Sequence, residues 1–223
     1  MEEKIFEKLK YLISYPEGFQ EDKKYPLVVF LHGAGTRSET TDILRKNASF
    51  TNIWKRQDAR NYILLAPLCQ NGDWFAWMTP LLHLVGEIRS LPYIDETRLH
   101  VTGNSMGGYG TWEFSCLRPD WVASAMPICG GGIAGFARRN LVDVPIRAFH
   151  GLRDETVDPI ESLQMAKAVN MHGGHAELIL FPELAHNCWD AVYSDERNYD
   201  WLLSFTTKRN KTLLDELSGD YYG

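Results

Sequence analysis

Cysteine is scarce in this chain. The four present, Cys69, Cys116, Cys129 and Cys188, are scattered, and no two stand in a C-x-x-C pair. That excludes a zinc ribbon or a thioredoxin-type motif, and a disulfide framework would need more cysteines in so large a chain. Reduced thiols in a cytoplasmic protein are the expectation. Long apolar runs are missing too: none reaches the roughly 20 residues that cross a bilayer. The opening Met1-Glu2-Glu3-Lys4-Ile5-Phe6 lacks a basic segment leading into an apolar one, so no secretion leader is expected. Positive charge is not in excess, since 23 Lys and Arg face 29 Asp and Glu for a net charge of -6. That balance argues against nucleic acid or an anionic membrane as a partner. No cluster of His, Cys and carboxylates has ligand spacing, so neither a metal nor an organic cofactor is expected. Internal repeats and low-complexity linkers are likewise lacking.

What the chain does have is enough apolar matter for one core. Its 223 residues are 44% hydrophobic and 12% aromatic. A single domain over 1–223 follows, with a polar tail from 206 on that reads as a surface cap or fraying end, a short helix at 212–217 being the alternative. Extended apolar runs at 27–31, 62–66, 99–102, 125–129, 146–149 and 177–181 read as buried strands, and 9–15 as a strand at a sheet edge. Between them, 81–91, 106–117, 159–171 and 198–205 carry helical spacing. Such alternation predicts an α/β fold, a mostly parallel sheet with helices on both faces. In a sheet of that kind, sites gather outside the C-terminal ends of the strands.

The motifs fall at those ends. Gly103-Asn104-Ser105-Met106-Gly107 follows the 99–102 strand and opens the 106–117 helix. This is a G-x-S-x-G turn in the strand–turn–helix context that exposes a serine as nucleophile. His32-Gly33-Ala34-Gly35 follows the 27–31 strand. Small residues there suit backbone N–H groups that must approach an oxyanion, which acyl transfer requires. Met106 is expected to give one donor and Ala34 the other, with Gly35 the alternative. Asp154, in His150-Gly151-Leu152-Arg153-Asp154, follows the 146–149 strand; Glu155 and Asp158 compete with it, although Asp158, before Pro159, suits a helix cap better. His186 follows the 177–181 strand, which completes the chain order Ser, Asp, His of the G-x-S-x-G hydrolases. His32 and His150 flank glycine turns and read as structural.

These stretches together resemble the bacterial esterase/predicted-peptidase group within the dienelactone hydrolase and phospholipase/carboxylesterase-like branch of the α/β-hydrolases. The matching segments are 25–35, 103–112, 149–154 and 185–190, with Ala185 standing where that group usually has glycine. The resemblance implies the α/β-hydrolase fold, carboxylesterase activity, and Ser105, Asp154 and His186 as the catalytic residues. It also implies that Gly108, Tyr109 and Trp112 pack the 106–117 helix onto the sheet. Trp74 and Trp77, in Gly72-Asp73-Trp74-Phe75-Ala76-Trp77, either offer a stacking platform for substrate or plug the gap between loop and core. Trp189 either walls the pocket or packs behind His186, and Gly35 is counted with these as a substrate contact. With no large insertion in sight to form a lid, short acyl esters and carbohydrate esters of the acetyl or feruloyl type are the expected small-molecule substrates. A serine peptidase of the same fold and a catalytically inactive binding module are the rivals.

Overall fold

Residues 1–207 are described by the computed structural model; the tail beyond them, with its alternative helix at 212–217, lies outside the described residues. Eight strands form one sheet in the order β1-β2-β4-β3-β5-β6-β7-β8. They are β1 (Glu2–Phe6), β2 (Leu9–Ser14), β3 (Tyr25–Leu31), β4 (Ile63–Pro67), β5 (Ile94–Asn104), β6 (Val122–Ile128), β7 (Ile146–Gly151) and β8 (Ala176–Phe181). From β4 to β8 every neighbouring pair is parallel, whereas β1–β2 and β2–β4 are antiparallel. This is the mostly parallel sheet of the α/β-hydrolase fold.

The strands alternate between two cores, as a period of two demands. Leu27, Val29 and Leu31 of β3 join Val101 of β5 and Ala148 of β7 on one face. There they meet α4 (Met78–Arg89), α5 (Met106–Leu117), α6 (Ala134–Asn140) and α7 (Ile160–Asn170) through Leu81, Trp112, Ala137 and Met165. Val28 and Phe30 of β3, with Leu64, Met126, Ile128 and Phe149, point the other way. That face is covered by α1 (Asp42–Lys46), α2 (Ala48–Lys55), α8 (Trp189–Ser194) and α9 (Glu196–Leu202), which contribute Leu44, Phe50, Tyr193 and Tyr199. A further turn of helix, α3 (Gln57–Arg60), leads into β4.

Two expectations need correction. The 9–15 strand is not the sheet edge: β2 is flanked by β4 on one side and by β1 on the other. β1 escapes a reading by hydropathy because four of its five residues are exposed. β3 also starts before the expected 27–31 run, at Tyr25, with Pro26 inside it. Among the described residues, no helix is long and apolar enough to cross a membrane.

Candidate active site

The turn from β5 into α5 sets the geometry. Ser105 occupies the left-handed region at φ 56° and ψ -121°, a conformation costly for any residue with a side chain. The neighbouring chain enforces it. A Cβ on Gly107 would overlap the carbonyl oxygen of Leu31, so only glycine lets α5 start this close to β3. The Ser105 amide donates to Ile128 O at 2.9 Å, which ties the turn to the end of β6. Its hydroxyl projects from the C-terminal edge of the sheet at the first turn of α5.

His186 Nε2 lies 2.8 Å from Ser105 Oγ, and His186 Nδ1 lies 2.7 Å from Asp154 Oδ2. The three side chains, from the loops after β5, β7 and β8, form one hydrogen-bonded chain. Asp154 has no exposed side-chain surface, while His186 retains 21%. The carboxylate's other oxygen, Oδ1, accepts from the amides of Thr156 and Val157 at 2.9 Å each. Burial by itself would raise the Asp154 pKa, but hydrogen bonds from Val157, His186 and Thr156 outweigh it and hold the carboxyl below its ordinary range. Asp154 is therefore ionised at neutral pH and fixes His186 Nδ1 as a donor, leaving Nε2 to accept from the serine. Gly151 makes the meeting of the two loops possible: a Cβ there would collide with the carbonyls of Leu184 and Ala185. The competitors fall away. Asp158 Oδ1 accepts from Ile160 N at 2.9 Å, the capping role expected of it, and Glu155 is exposed.

The His32-Gly33-Ala34-Gly35 loop closes over the same serine. A Cβ on Gly33 would stand 3.5 Å from that of Ser105. Beyond it, Ala34 is half-buried and Gly35 exposed, facing open space. His32 fastens this loop to the end of β4. Its Nδ1 donates to Gly33 O at 2.8 Å and its Nε2 accepts from Cys69 N at 3.0 Å. Burial pushes its pKa down to about 4, so it is neutral in use. Met106, the first residue of α5, has its N–H among those that no helical carbonyl can satisfy.

The aromatic residues divide. Trp74 is fully buried, its Nε1 donating to His32 O at 2.9 Å. It is a core plug under the loop and offers no face to a ligand, which corrects its expected place among the substrate contacts. Trp77 is half-buried, with Nε1 donating to Asn71 O at 2.9 Å. Trp189 meets the His186 imidazole edge-to-face, ring centres 5.3 Å apart, and backs that ring against the second core.

A family model for the dienelactone hydrolase family matches residues 23–200 of this sequence, a span that holds every residue of the site. The chain belongs to the dienelactone hydrolase family. It is 24% identical over 172 residues to a protein named "probable feruloyl esterase C" from Aspergillus terreus, covering 74% of this chain and 62% of that one. A solved structure described as a thermostable esterase superposes with a TM-score of 0.76 at 30% identity, over 89% of this chain and 59% of its own. The chain thus spans about six-tenths of the length of each of these two relatives. Est1E from Butyrivibrio proteoclasticus has the same fold, with a TM-score of 0.66 at 17% identity over 88% of this chain and 93% of that one.

Some residues at the site of this family member carry no signal in the sequence. Cys129 directly follows β6 with φ 40°, and its thiol lies within 4.8 Å of a carboxylate oxygen of Asp154 and a ring nitrogen of His186. A hydrogen bond with Cys188, together with burial, pushes its pKa far up, so it stays a thiol. Among the described residues, Cys129, Asp154 and His186 are the one group of three close enough to hold a metal ion. Both nitrogens of His186 and both oxygens of Asp154 are already committed to hydrogen bonds. Arg37 brings a cation to the rim, Nη2 lying 3.2 Å from Met106 Sδ. His150, expected to be structural, reaches Asp154 itself, with Nε2 3.2 Å from Oδ2.

Proposed function

We propose that this protein is a serine esterase in which Ser105 is the nucleophile, His186 the general base and Asp154 the residue that orients and charges-balances the imidazole. The observation that carries the reading is the unbroken contact from Ser105 Oγ through His186 to Asp154, 2.8 Å and then 2.7 Å, at the open edge of the sheet. His186 Nε2 takes the serine proton as Oγ bonds to the ester carbonyl carbon. The amides of Met106 and Ala34 donate to the resulting oxyanion. His186 then returns the proton to the departing alkoxide, and a water, deprotonated by the same nitrogen, releases the acid and restores the serine.

Short acyl esters and carbohydrate esters of the acetyl or feruloyl type are the substrates. The chain passes from β6 to α6 through residues 129–133 alone, a connection too short to cover the serine. The name of the Aspergillus terreus relative points to the same ester class. Trp77, Trp189 and Gly35 are the groups assigned to an acyl or alcohol moiety, a reading supported for Trp189 by its edge-to-face contact with His186.

The test is Ser105→Ala, assayed on p-nitrophenyl acetate, methyl ferulate and a peptide anilide, with fluorophosphonate labelling alongside. Turnover of the esters should fall on the order of 10⁶-fold, as in the loss of a nucleophile from a comparable triad, and labelling should vanish. Ester hydrolysis surviving the substitution, or anilide cleaved in preference to ester by the parent, overturns the reading.

A further inference from the structure

His150, the last residue but one of β7, has no side-chain surface exposed, and its polar contacts among the described residues are few. Nδ1 lies 2.7 Å from Ser162 Oγ, and Ser162 Oγ donates to Gly130 O at 2.7 Å. Nε2 lies 3.0 Å from Val157 O and 3.2 Å from Asp154 Oδ2. The proton inventory is short. Carbonyl and carboxylate oxygens only accept, and Ser162 has a single proton to give. An imidazole protonated on Nδ1 alone would turn the Nε2 lone pair on two oxygens. One protonated on Nε2 alone would claim the Ser162 proton for Nδ1, leaving two oxygens 2.7 Å apart with nothing between them. Only the doubly protonated ring supplies a hydrogen to each contact.

We propose that His150 is a buried imidazolium, a positioning residue that shares the Asp154 carboxylate with His186 and sets how readily His186 is protonated. The inference rests on the esterase reading only for its kinetic consequence; the charge of His150 follows from the hydrogen bonds alone. A buried cation requires a counter-charge, and Asp154 is the carboxylate against it. The other titratable groups around this position are His186 from the loop after β8, Cys129 from the end of β6, Glu161 from α7 and Tyr109 from α5. The Cys129 thiol is neutral, and burial, with the charges of Glu161 and Asp154, raises the Tyr109 phenol and keeps it neutral as well. The two imidazoles meet on one carboxylate oxygen, so their facing nitrogens stand within about 6 Å, a range at which one cation disfavours another. His150 thereby spends part of the Asp154 charge and keeps His186 unprotonated to lower pH.

His150→Gln retains a donor near Val157 O and removes the charge. The acid limb of kcat/KM for p-nitrophenyl acetate should then move to higher pH by on the order of one unit. A residue that only filled space would lower activity at every pH and leave the limb in place. Ser162→Ala, which takes the acceptor from Nδ1 without touching Asp154, should move the limb in the same direction by less, and it serves if the glutamine variant does not fold. The decisive measurement is independent of activity. ¹⁵N NMR of imidazole-labelled parent protein at about pH 8, where an ordinary imidazole is neutral, should show both nitrogens of His150 bearing protons. One nitrogen with the shift of an unprotonated lone pair overturns the proposal, as does an acid limb unmoved in both variants. A parent that hydrolyses no ester sinks the esterase reading while the spectrum still decides the charge of His150.

Discussion

At the scale of single residues, the burial of Trp74 separates two roles that one short segment left open. The indole is fully enclosed and bonded to the carbonyl of His32, directly beneath the loop assigned to the oxyanion. Trp74→Ala should therefore act through stability, costing about 3–5 kcal/mol as large-to-small changes of buried aromatics do. Thermal or denaturant unfolding measures this, and a KM change on aromatic esters with unchanged stability would instead make Trp74 a ligand platform. Ser105 and His186 were legible because a strained turn and a strand end leave patterns in the sequence. Asp154 was legible only by rank among three acids, and of the three it is Asp154 whose carboxylate meets His186. Neither His150 nor Cys129 could be read as part of the site. A histidine before a glycine turn looks alike whether its ring meets solvent, a carbonyl or a carboxylate, and its neighbours here come from β6, α7 and the Asp154 loop.

Among the elements, α5 was readable end to end, since Ser105 starts it and helical spacing carries it to Leu117. Its far half carries a feature that spacing does not reveal. Glu113 has Oε2 buried without a hydrogen-bond partner among the described residues, beside an apolar pocket lined by Phe75, Trp112, Cys116, Phe136 and Met165. Burial, with the charge of Asp73 adding to it, raises its pKa from 4.5 to about 7. The sign follows from linkage. The folded chain binds this proton more tightly than the unfolded chain, so stability from this group is lost as pH climbs from 4.5 through 7. Glu113→Gln should melt higher than the parent at about pH 8.5, and the difference should close near pH 4.5; melting curves at the two values check it, and an equal gain at both would assign the effect to packing. The short helices α1, α2 and α3 were missed for a different reason. They run only five, eight and four residues, so α1 and α3 are too brief for a helical period to repeat and α2 repeats it barely twice. α2 holds together through a cap, Asn47 Oδ1 accepting from Phe50 N at 2.9 Å, and through tertiary burial of Phe50 and Ile53.

Across the whole molecule, the site and the missed strand stand at opposite sides of the sheet. The triad loops leave β5, β7 and β8, whereas β1 borders β2 at the far edge. β1 buries little of itself, but it pairs with five of the six residues of β2, from Glu2↔Ile13 to Phe6↔Leu9, and is fastened by a 2.6 Å hydrogen bond from Thr41 Oγ1 to Glu3. Its work is to occupy an edge. Without it, β2 would present a row of unpaired amides and carbonyls on a strand whose only charge is Lys10, the kind of edge that recruits another chain. Removal of residues 1–7 should therefore leave the turnover per site within about two-fold, because no hydrogen bond of the Ser105–His186–Asp154 chain reaches β1, and should shift the protein to larger species with rising concentration. Size-exclusion chromatography with activity measured across the peak separates the two effects. A truncated chain that keeps the parent's elution volume at every concentration would mean that β2 is protected by something other than β1, and one that loses turnover while keeping its size would mean that the far edge is coupled to the site through the sheet.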